Sequence, residues 1–386
     1  MLLIVSDLEN QGKQTYICRF EIDSRYRQGY VRYQLSLKRQ VGAVSRSGKC
    51  VQVFRQVEKH KAHSKRLQGK RQMIEIHNLS KRFDQFTAID NLSFTVKEGE
   101  VLGFLGPNGA GKSTTMKVIT GFLAPSEGKV TIDGFDITKN PIQAKSLIGY
   151  LPEGAPSYGD MTTLEFLKFI ADVRGFRGEE AITKVQKALD EVALNSVAHQ
   201  TIDTLSKGFK RRVGIAQAIM HDPKVLILDE PTDGLDPNQK HHVRELIKNL
   251  ARDKIVVIST HILEEVSAVC TRAVIIAQGK IVADGTPGEL EARSRYHQAV
   301  SVRFTEHYDL GADLTGVPGV GEIEKDAEDE LRFTIFAENA ESIFSKVSEI
   351  AQKNSWPVDE FHVNRGQLED LFRTVTQAGQ VENNNG

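Results

Sequence analysis

The sequence predicts an α/β protein: a parallel-sheet body with an all-helical block inserted into it and a small α+β domain appended. Three observations point there. A short apolar strand, Val101 to Leu105, runs into a glycine-rich loop and an amphipathic helix, Ser113 to Thr120. Between about Thr162 and Met220 the apolar period becomes helical: Ile182, Val185, Ala188, Leu189 and Val192 fall on one face, as do Val213, Ala216 and Met220. The unbroken run Val225-Leu226-Ile227-Leu228 then reads as a strand buried on both faces, which belongs in a parallel sheet.

Taken in order, the chain opens on a segment foreign to the rest. Residues 1–72 carry 16 Lys/Arg against 5 Asp/Glu, while the whole 386-residue chain carries 50 against 51. Basic runs such as Lys59 to Arg66 suit RNA or anionic lipid, but the expectation is a disordered extension, or sequence ahead of the true start codon, with Met73 opening the first strand. Residues 73–292 follow as one α/β domain, with the helical block at about 158–222. Met73 to Ile76, Leu92 to Val96 and Glu100 to Leu105 suit strands, and Gly128 to Gly134 reads as a strand ending in an Asp-Gly turn. After Val225 to Asp229 come a helix, Gln239 to Arg252, and two strands, Ile255 to Ser259 and Ala273 to Ala277. Residues 293–380 suit a small ferredoxin-like α+β domain, with strands at Ala299 to Phe304, Gly319 to Ile323, Glu330 to Phe336 and Val358 to Val363. Its helices are expected at Ala340 to Gln352 and Gln367 to Val375, and residues 381–386 form a polar tail.

Composition excludes several classes. Three cysteines, Cys18, Cys50 and Cys270, make neither a disulfide framework nor a zinc site by spacing, which implies a reducing, cytoplasmic location. No apolar run approaches the roughly 18 residues of a membrane span. His307 and His362 stand without partner ligands at useful spacing.

The loop Gly106-Pro107-Asn108-Gly109-Ala110-Gly111-Lys112-Ser113-Thr114 matches G-x-x-x-x-G-K-[ST] at every fixed position. Its glycines let backbone N–H groups turn inward around phosphates, and the helix behind them adds its positive end. Lys112 suits the β- and γ-phosphates, and the Ser113 hydroxyl suits Mg²⁺. Alone, the loop specifies only a nucleoside triphosphate. The strand ending at Leu228 delivers Asp229 and Glu230 at its carboxyl end, where ligands of open α/β sheets collect. There one carboxylate can hold Mg²⁺ and its neighbour can orient or deprotonate an attacking water.

With Leu205-Ser206-Lys207-Gly208-Phe209 ahead of the Asp229-to-Asp236 run, and His261 after the next strand, the region from Met73 to Glu291 resembles an ATP-binding cassette (ABC) subunit. The resemblance implies ATP and Mg²⁺ as cofactors. It implies that Phe83 stacks on adenine, that Gly106 to Thr114 hold the phosphates, that Asp229 is the magnesium-associated aspartate with Ser113, and that Glu230 is the catalytic glutamate. His261 resembles the switch histidine on the γ-phosphate. Ser206 and Gly208 belong to the motif that reads the γ-phosphate bound on an opposite copy, and Asp236 closes the loop after Glu230. Three departures accompany these matches. Lys207 and Phe209 stand where glycine and glutamine are usual, Glu153 replaces the glutamine after a Tyr-Leu-Pro stretch while remaining able to bind Mg²⁺ or water, and Asp233 replaces a serine. They resemble the branch that exports through a separate ABC-2 type permease, among cassettes of gliding-motility or multidrug-export type.

The expected partners are a second copy of the chain and a multi-span permease, with the protein peripheral on the inner face of the membrane and no specific nucleic acid. The rival is a soluble cassette ATPase of translation or DNA repair. Against it stand one phosphate loop and one Leu-Ser-Lys-Gly run in the chain, where translation-associated cassettes usually carry two. A GTPase is disfavoured because no Asn-Lys-x-Asp motif follows.

Overall fold

The computed structural model describes residues 2–6, 15–19, 72–339 and 341–382, in two units, Met1–Gly69 and Lys70–Gly386. In the first unit, β1 (Leu2–Ser6) pairs antiparallel with β2 (Thr15–Arg19). Most of residues 1–72, and with them the expectation of a disordered or upstream segment, lie outside the described residues, as do residues 383–386 of the polar tail.

The second unit starts with two long strands, β3 (Gln72–Phe83) and β4 (Phe86–Lys97), then β5 (Val101–Leu105) and α1 (Lys112–Ile119). Strands β6 (Glu127–Ile132) and β7 (Phe135–Asp136) follow, joined by Asp133 and Gly134, both at positive φ as a two-residue hairpin turn demands. Next come α2 (Pro141–Ser146) and β8 (Ile148–Leu151). The helical block consists of α3 (Thr163–Val173), α4 (Gly178–Glu191) and α5 (Lys207–Ile219). It opens where Thr162 and Glu165 close a reciprocal capping box. Alternation then resumes with β9 (Val225–Asp229), α6 (Pro237–Leu250), β10 (Ile255–Thr260), α7 (Leu263–Val269), β11 (Arg272–Ala277), β12 (Lys280–Gly285) and α8 (Pro287–Glu291).

The main sheet has the order β12-β11-β5-β10-β9-β8, parallel except for β12. A second, antiparallel sheet has the order β4-β3-β6-β7. Strands β5, β9 and β10 are buried at every residue, because alternate side chains feed two cores. Leu226, Leu228, Val256 and Ile258 face the helical block with Phe166, Leu167, Leu189 and Val213. Leu102, Phe104, Ile227 and Val257 face α1 and the antiparallel sheet, with Met116, Ile74, Leu92 and Val130. On α4, Val185, Ala188 and Leu189 are buried as the spacing predicts, and so is Val192 beyond its end. Ile182, placed on the same face from sequence, is 67% exposed: it lies a turn closer to the free helix start.

The C-terminal region comprises β13 (Val300–Phe304), α9 (Leu310–Leu314), β14 (Val320–Lys325), β15 (Arg332–Ala337), α10 (Phe344–Lys353), β16 (Val358–Val363) and α11 (Leu368–Glu382). Its antiparallel order β14-β15-β13-β16 with interleaved helices is the ferredoxin-like arrangement. Val302, Phe304, Ile335, Val347 and Trp356 fill its core. Helix α11 leaves that core and packs Leu368 and Leu371 with Leu105, Val266 and Ala283 of the main domain.

Candidate functional site

Parallel register decides where the site forms. Leu105 stands beside Thr260, and Ser259 beside Asp229, so β5, β9 and β10 end together and their exit loops share one edge. The glycine-rich loop, the Asp229-Glu230 pair and His261 therefore meet although about 150 residues of chain separate the first from the last.

The loop depends on missing side chains. Gly111 has φ +104, and a Cβ there would lie 2.5 Å from Ala88 O; at Gly106 it would lie 2.5 Å from Ile276 O. Lys112 is buried and its ammonium donates to Gly106 O at 2.8 Å and Pro107 O at 3.2 Å. It also stands 3.5 Å from Glu230 Oε1. Asn108 and Gly109 are exposed at the loop tip, Ala110 is buried beneath it, and Thr114 is half-buried on the first turn of α1.

Ser113 Oγ donates to Asp229 Oδ1 at 3.2 Å, and Ser259 Oγ donates to the same oxygen. Asp229 is fully buried and its Oδ2 has no hydrogen-bond partner among the described residues. Burial pushes the Asp229 carboxyl above the ordinary carboxylate range, against the two serine hydroxyls that lower it. Glu230 is likewise pushed up by burial, against Lys112 and His261. Its Oε2 lies 2.9 Å from His261 Nδ1. Glu230 holds the left-handed φ of +50, and its N–H donates to Ser259 O and Oγ, both at 3.1 Å. Ser259 was not singled out from sequence; the polar Ser259-Thr260-His261 end of an apolar strand is the signal that could have found it.

An orphaned, buried Asp229 oxygen beside the Ser113 hydroxyl is a hard-oxygen donor set that fits Mg²⁺ once phosphate oxygens complete it. Among the described residues no group of three His, Cys, Asp or Glu side chains could hold a metal by itself.

The remaining sequence candidates lie around this centre. Phe83 ends β3, 43% exposed, with Lys81 Nζ 5.0 Å from its ring centroid. The hairpin it belongs to leads to Ala88, the residue against Gly111, which brings its end toward the loop. Phe86, opposite Phe83, is a second exposed ring that sequence reasoning did not select. Ser206 caps α5 and accepts from Phe209 N at 3.4 Å. Asp236 caps α6 and accepts from Gln239 N at 2.9 Å, and Gly208 packs so closely on Gln239 that a Cβ would lie 2.9 Å from its side chain. Ser206, Gly208 and Asp236 thus share one corner. Among the described residues no hydrogen bond or ion pair joins it to Gly106–Thr114. Glu153 is exposed just past β8, makes no hydrogen bond among the described residues, and acts on Asp229 through its charge alone.

Among the described residues no helix is long and apolar enough to cross a membrane. A family profile described as ABC transporter matches residues 89–233. The linearmycin resistance ATP-binding protein LnrL of Bacillus subtilis (strain 168) is 34% identical over 307 residues, covering 79% of this chain and 98% of that protein. The probable multidrug ABC transporter ATP-binding protein YbhF of Escherichia coli (strain K12) is 37% identical over 226 residues, or 58% of this chain, but the match spans only 38% of YbhF. Among solved structures, the dimeric bacterial ABC transporter cassette MJ0796 is 26% identical with a TM-score of 0.51, covering 56% of this chain and 99% of that one. Identity along nearly the whole of LnrL, on a sheet whose strand ends gather the loop, the acid pair and the histidine, makes the chain a member of the ABC transporter family, one of its ATP-binding cassette ATPases.

Proposed function

We propose that the protein binds and hydrolyses ATP as the cytoplasmic subunit of an ABC-2 type exporter, closing on a second copy of itself and driving a separate membrane permease. The observation that carries this reading is the convergence on Glu230: a buried carboxyl held 2.9 Å from His261 Nδ1 and 3.5 Å from the loop lysine. Gly106 to Thr114 hold the triphosphate, Phe83 stacks on its base, and Ser113, Asp229 and Glu153 serve the metal side. Mg²⁺, when bound, neutralises phosphate charge. Glu230 takes a proton from the attacking water as its oxygen bonds to the γ-phosphorus, and ADP leaves as the bond to its β-phosphate oxygen breaks. His261 holds both Glu230 and the γ-phosphate in line.

Ser206 is exposed at the start of α5, and the corner it shares with Gly208 makes no bond to its own loop, which supports pairing with the loop of a second copy. MJ0796 is described as dimeric. Exposed Tyr158 and Phe169, edge to face at 5.5 Å just beyond Glu153, supply an apolar surface suited to a permease helix. The names of LnrL and YbhF, one tied to resistance and one to multidrug transport, favour export over other directions.

The test is Glu230→Gln. It is expected to keep nucleotide affinity, lower turnover by at least about 100-fold, and trap an ATP-bound dimer that co-purifies from native membranes with a multi-span protein. Turnover like that of the unmodified chain would overturn the role of Glu230. Co-purification with ribosomes or DNA would overturn the exporter reading.

A further inference from the structure

Beside the site, on α7, lies a buried carboxyl that none of the roles above uses. Glu265 is 4% exposed, and no Lys, Arg or His forms an ion pair with it among the described residues. Instead two threonine hydroxyls converge on it. Thr260 Oγ1 donates to Glu265 Oε2 at 2.8 Å, and Thr232 Oγ1 donates to Glu265 Oε1. Both threonines are buried to within 2% of full coverage. Thr260 immediately precedes His261, and its hydroxyl also accepts from Ile262 N at 3.0 Å, so it grips the backbone on both sides of the histidine. Thr232 lies two residues after Glu230 in a tight turn, where Asp233 N donates to Glu230 O at 3.3 Å and Leu235 N to Thr232 O at 3.3 Å.

We infer that Glu265 is a positioning residue for hydrolysis: its two oxygens tie the turn that carries Glu230 to the strand end that carries His261, and so fix the contact between them. The argument is geometric. Glu230 sits at a left-handed φ that a glutamate does not adopt unaided, and His261 is 42% exposed, with Glu230 its only hydrogen-bond partner among the described residues. Ser259 pins the N–H of Glu230, but neither the turn beyond Glu230 nor His261 is held by that contact. A buried carboxyl accepting one hydrogen bond from each side is a rigid bridge between the two backbones, because losing either bond would strand a buried polar group. A shift of about 1 Å between catalytic groups can cost on the order of 100-fold in rate, so a bridge two residues from one group and one residue from the other acts on turnover without touching ATP.

The inference rests on the hydrolytic reading of Glu230 and His261, and its test separates the two. In the full-length chain, Glu265→Leu keeps much of the volume and removes both acceptors; Glu265→Gln keeps one acceptor and offers a donor to the other hydroxyl. With rates normalised to folded sites counted by bound fluorescent nucleotide, Glu265→Leu is expected to lower kcat for ATP by about 10- to 100-fold while KM changes by less than about threefold. Glu265→Gln should retain most of the rate. In ¹⁵N-histidine NMR, with the His261 signal assigned by its loss in His261→Asn, the Nδ1 resonance should lose its hydrogen-bonded position in the Leu variant and keep it in the Gln variant. An unchanged kcat and His261 signal, or a rise in KM in place of the fall in kcat, would overturn the inference. If Glu265→Leu does not fold, the near-isosteric pair Thr232→Val with Thr260→Val decides in the same way. Glu230→Gln run alongside tells the failures apart: if that variant turns over normally, the hydrolytic reading is at fault, whatever Glu265 does.

Discussion

Glu230 shows what a single residue at a strand end can cost the fold. A non-glycine residue at φ +50 is strained by roughly 1 kcal/mol or more, and burial of its carboxyl adds a desolvation penalty. The strain persists because its N–H is held by both oxygens of Ser259. A second titratable residue has a simpler account. His221 follows α5 and its Nε2–H donates to Ile148 O at 2.9 Å, while its Nδ1 is buried with no hydrogen-bond partner among the described residues. Burial, helped by the charge of Arg174, holds this imidazole down to about 4 from its ordinary 6.5. The folded chain therefore binds the proton less readily than the unfolded chain, so protonation favours unfolding. The stabilising neutrality of His221 is fully present above pH 6.5 and is lost as pH falls toward 4, by about 2 to 3 kcal/mol over that window. His221→Gln tests this, because it keeps a donor for Ile148 O and removes the titration. Urea unfolding at pH 7 and pH 4.5 should show a smaller acid loss in the variant than in the parent by that amount. Equal acid losses would remove His221 from the pH response.

At the scale of elements, the helical block is fastened to the sheet by closeness. Helix α5 lies so near β8 that a Cβ on Gly149 would stand 2.2 Å from Ala218 O, and one on Gly214 would stand 2.5 Å from Leu151 Cδ1. Because Ser206 caps the start of this helix and Glu153 follows β8, any separation moves both. Gly149→Ala is expected to destabilise the chain by about 1 to 3 kcal/mol through this clash with backbone, and to weaken the α5–β8 seam first. Hydrogen exchange should then rise along α5 while β5 and β10 stay protected; protection lost evenly across the sheet would contradict a local seam. This seam was not legible beforehand. The strands that carry motifs were, because their apolar runs end on chemically specific residues: Val225–Asp229 is observed where Val225 to Asp229 is predicted, and α1 begins one residue before its expected start. β8 was seen only as a motif, since four residues containing Gly149 and Tyr150 carry no period. β3 and β4 run to 12 residues each, far beyond the two short segments expected, because register shifts at Asn78 and Asn91, both at positive φ, break the alternation by which a strand is recognised. The acid pair, lysine and histidine of the site were named from sequence, whereas Ser259 and Glu265 were not. Ser259 meets Asp229 and Glu265 meets Thr232 across about 30 residues of sequence, and parallel register brings β9 and β10, which lead to those groups, together.

For the whole molecule, the decisive observation is that the corner made by Ser206, Gly208 and Asp236 is capped and closely packed, yet among the described residues makes no hydrogen bond or ion pair with the phosphate loop of its own chain. The proposed two-fold dimer would resolve this, since a symmetric pair would place each corner on the other copy's loop and form two identical sites at once. The arrangement makes a prediction that no single-chain site can meet. A Lys112→Ala chain has a dead loop and an intact corner; a Ser206→Arg chain has an intact loop and a corner blocked by a bulky cation. Each should be inactive alone. In an equal mixture half of the dimers are mixed, and each mixed dimer has one site with both walls intact and one with neither. ATP turnover should return to roughly a quarter of the parent rate if sites work independently, and to less if both must fire together. The recovered rate should rise with the square of total protein at concentrations below the dimer's Kd. No recovery at any ratio, with each variant shown to bind the other by analytical ultracentrifugation, would mean that loop and corner do not form one site across the two-fold.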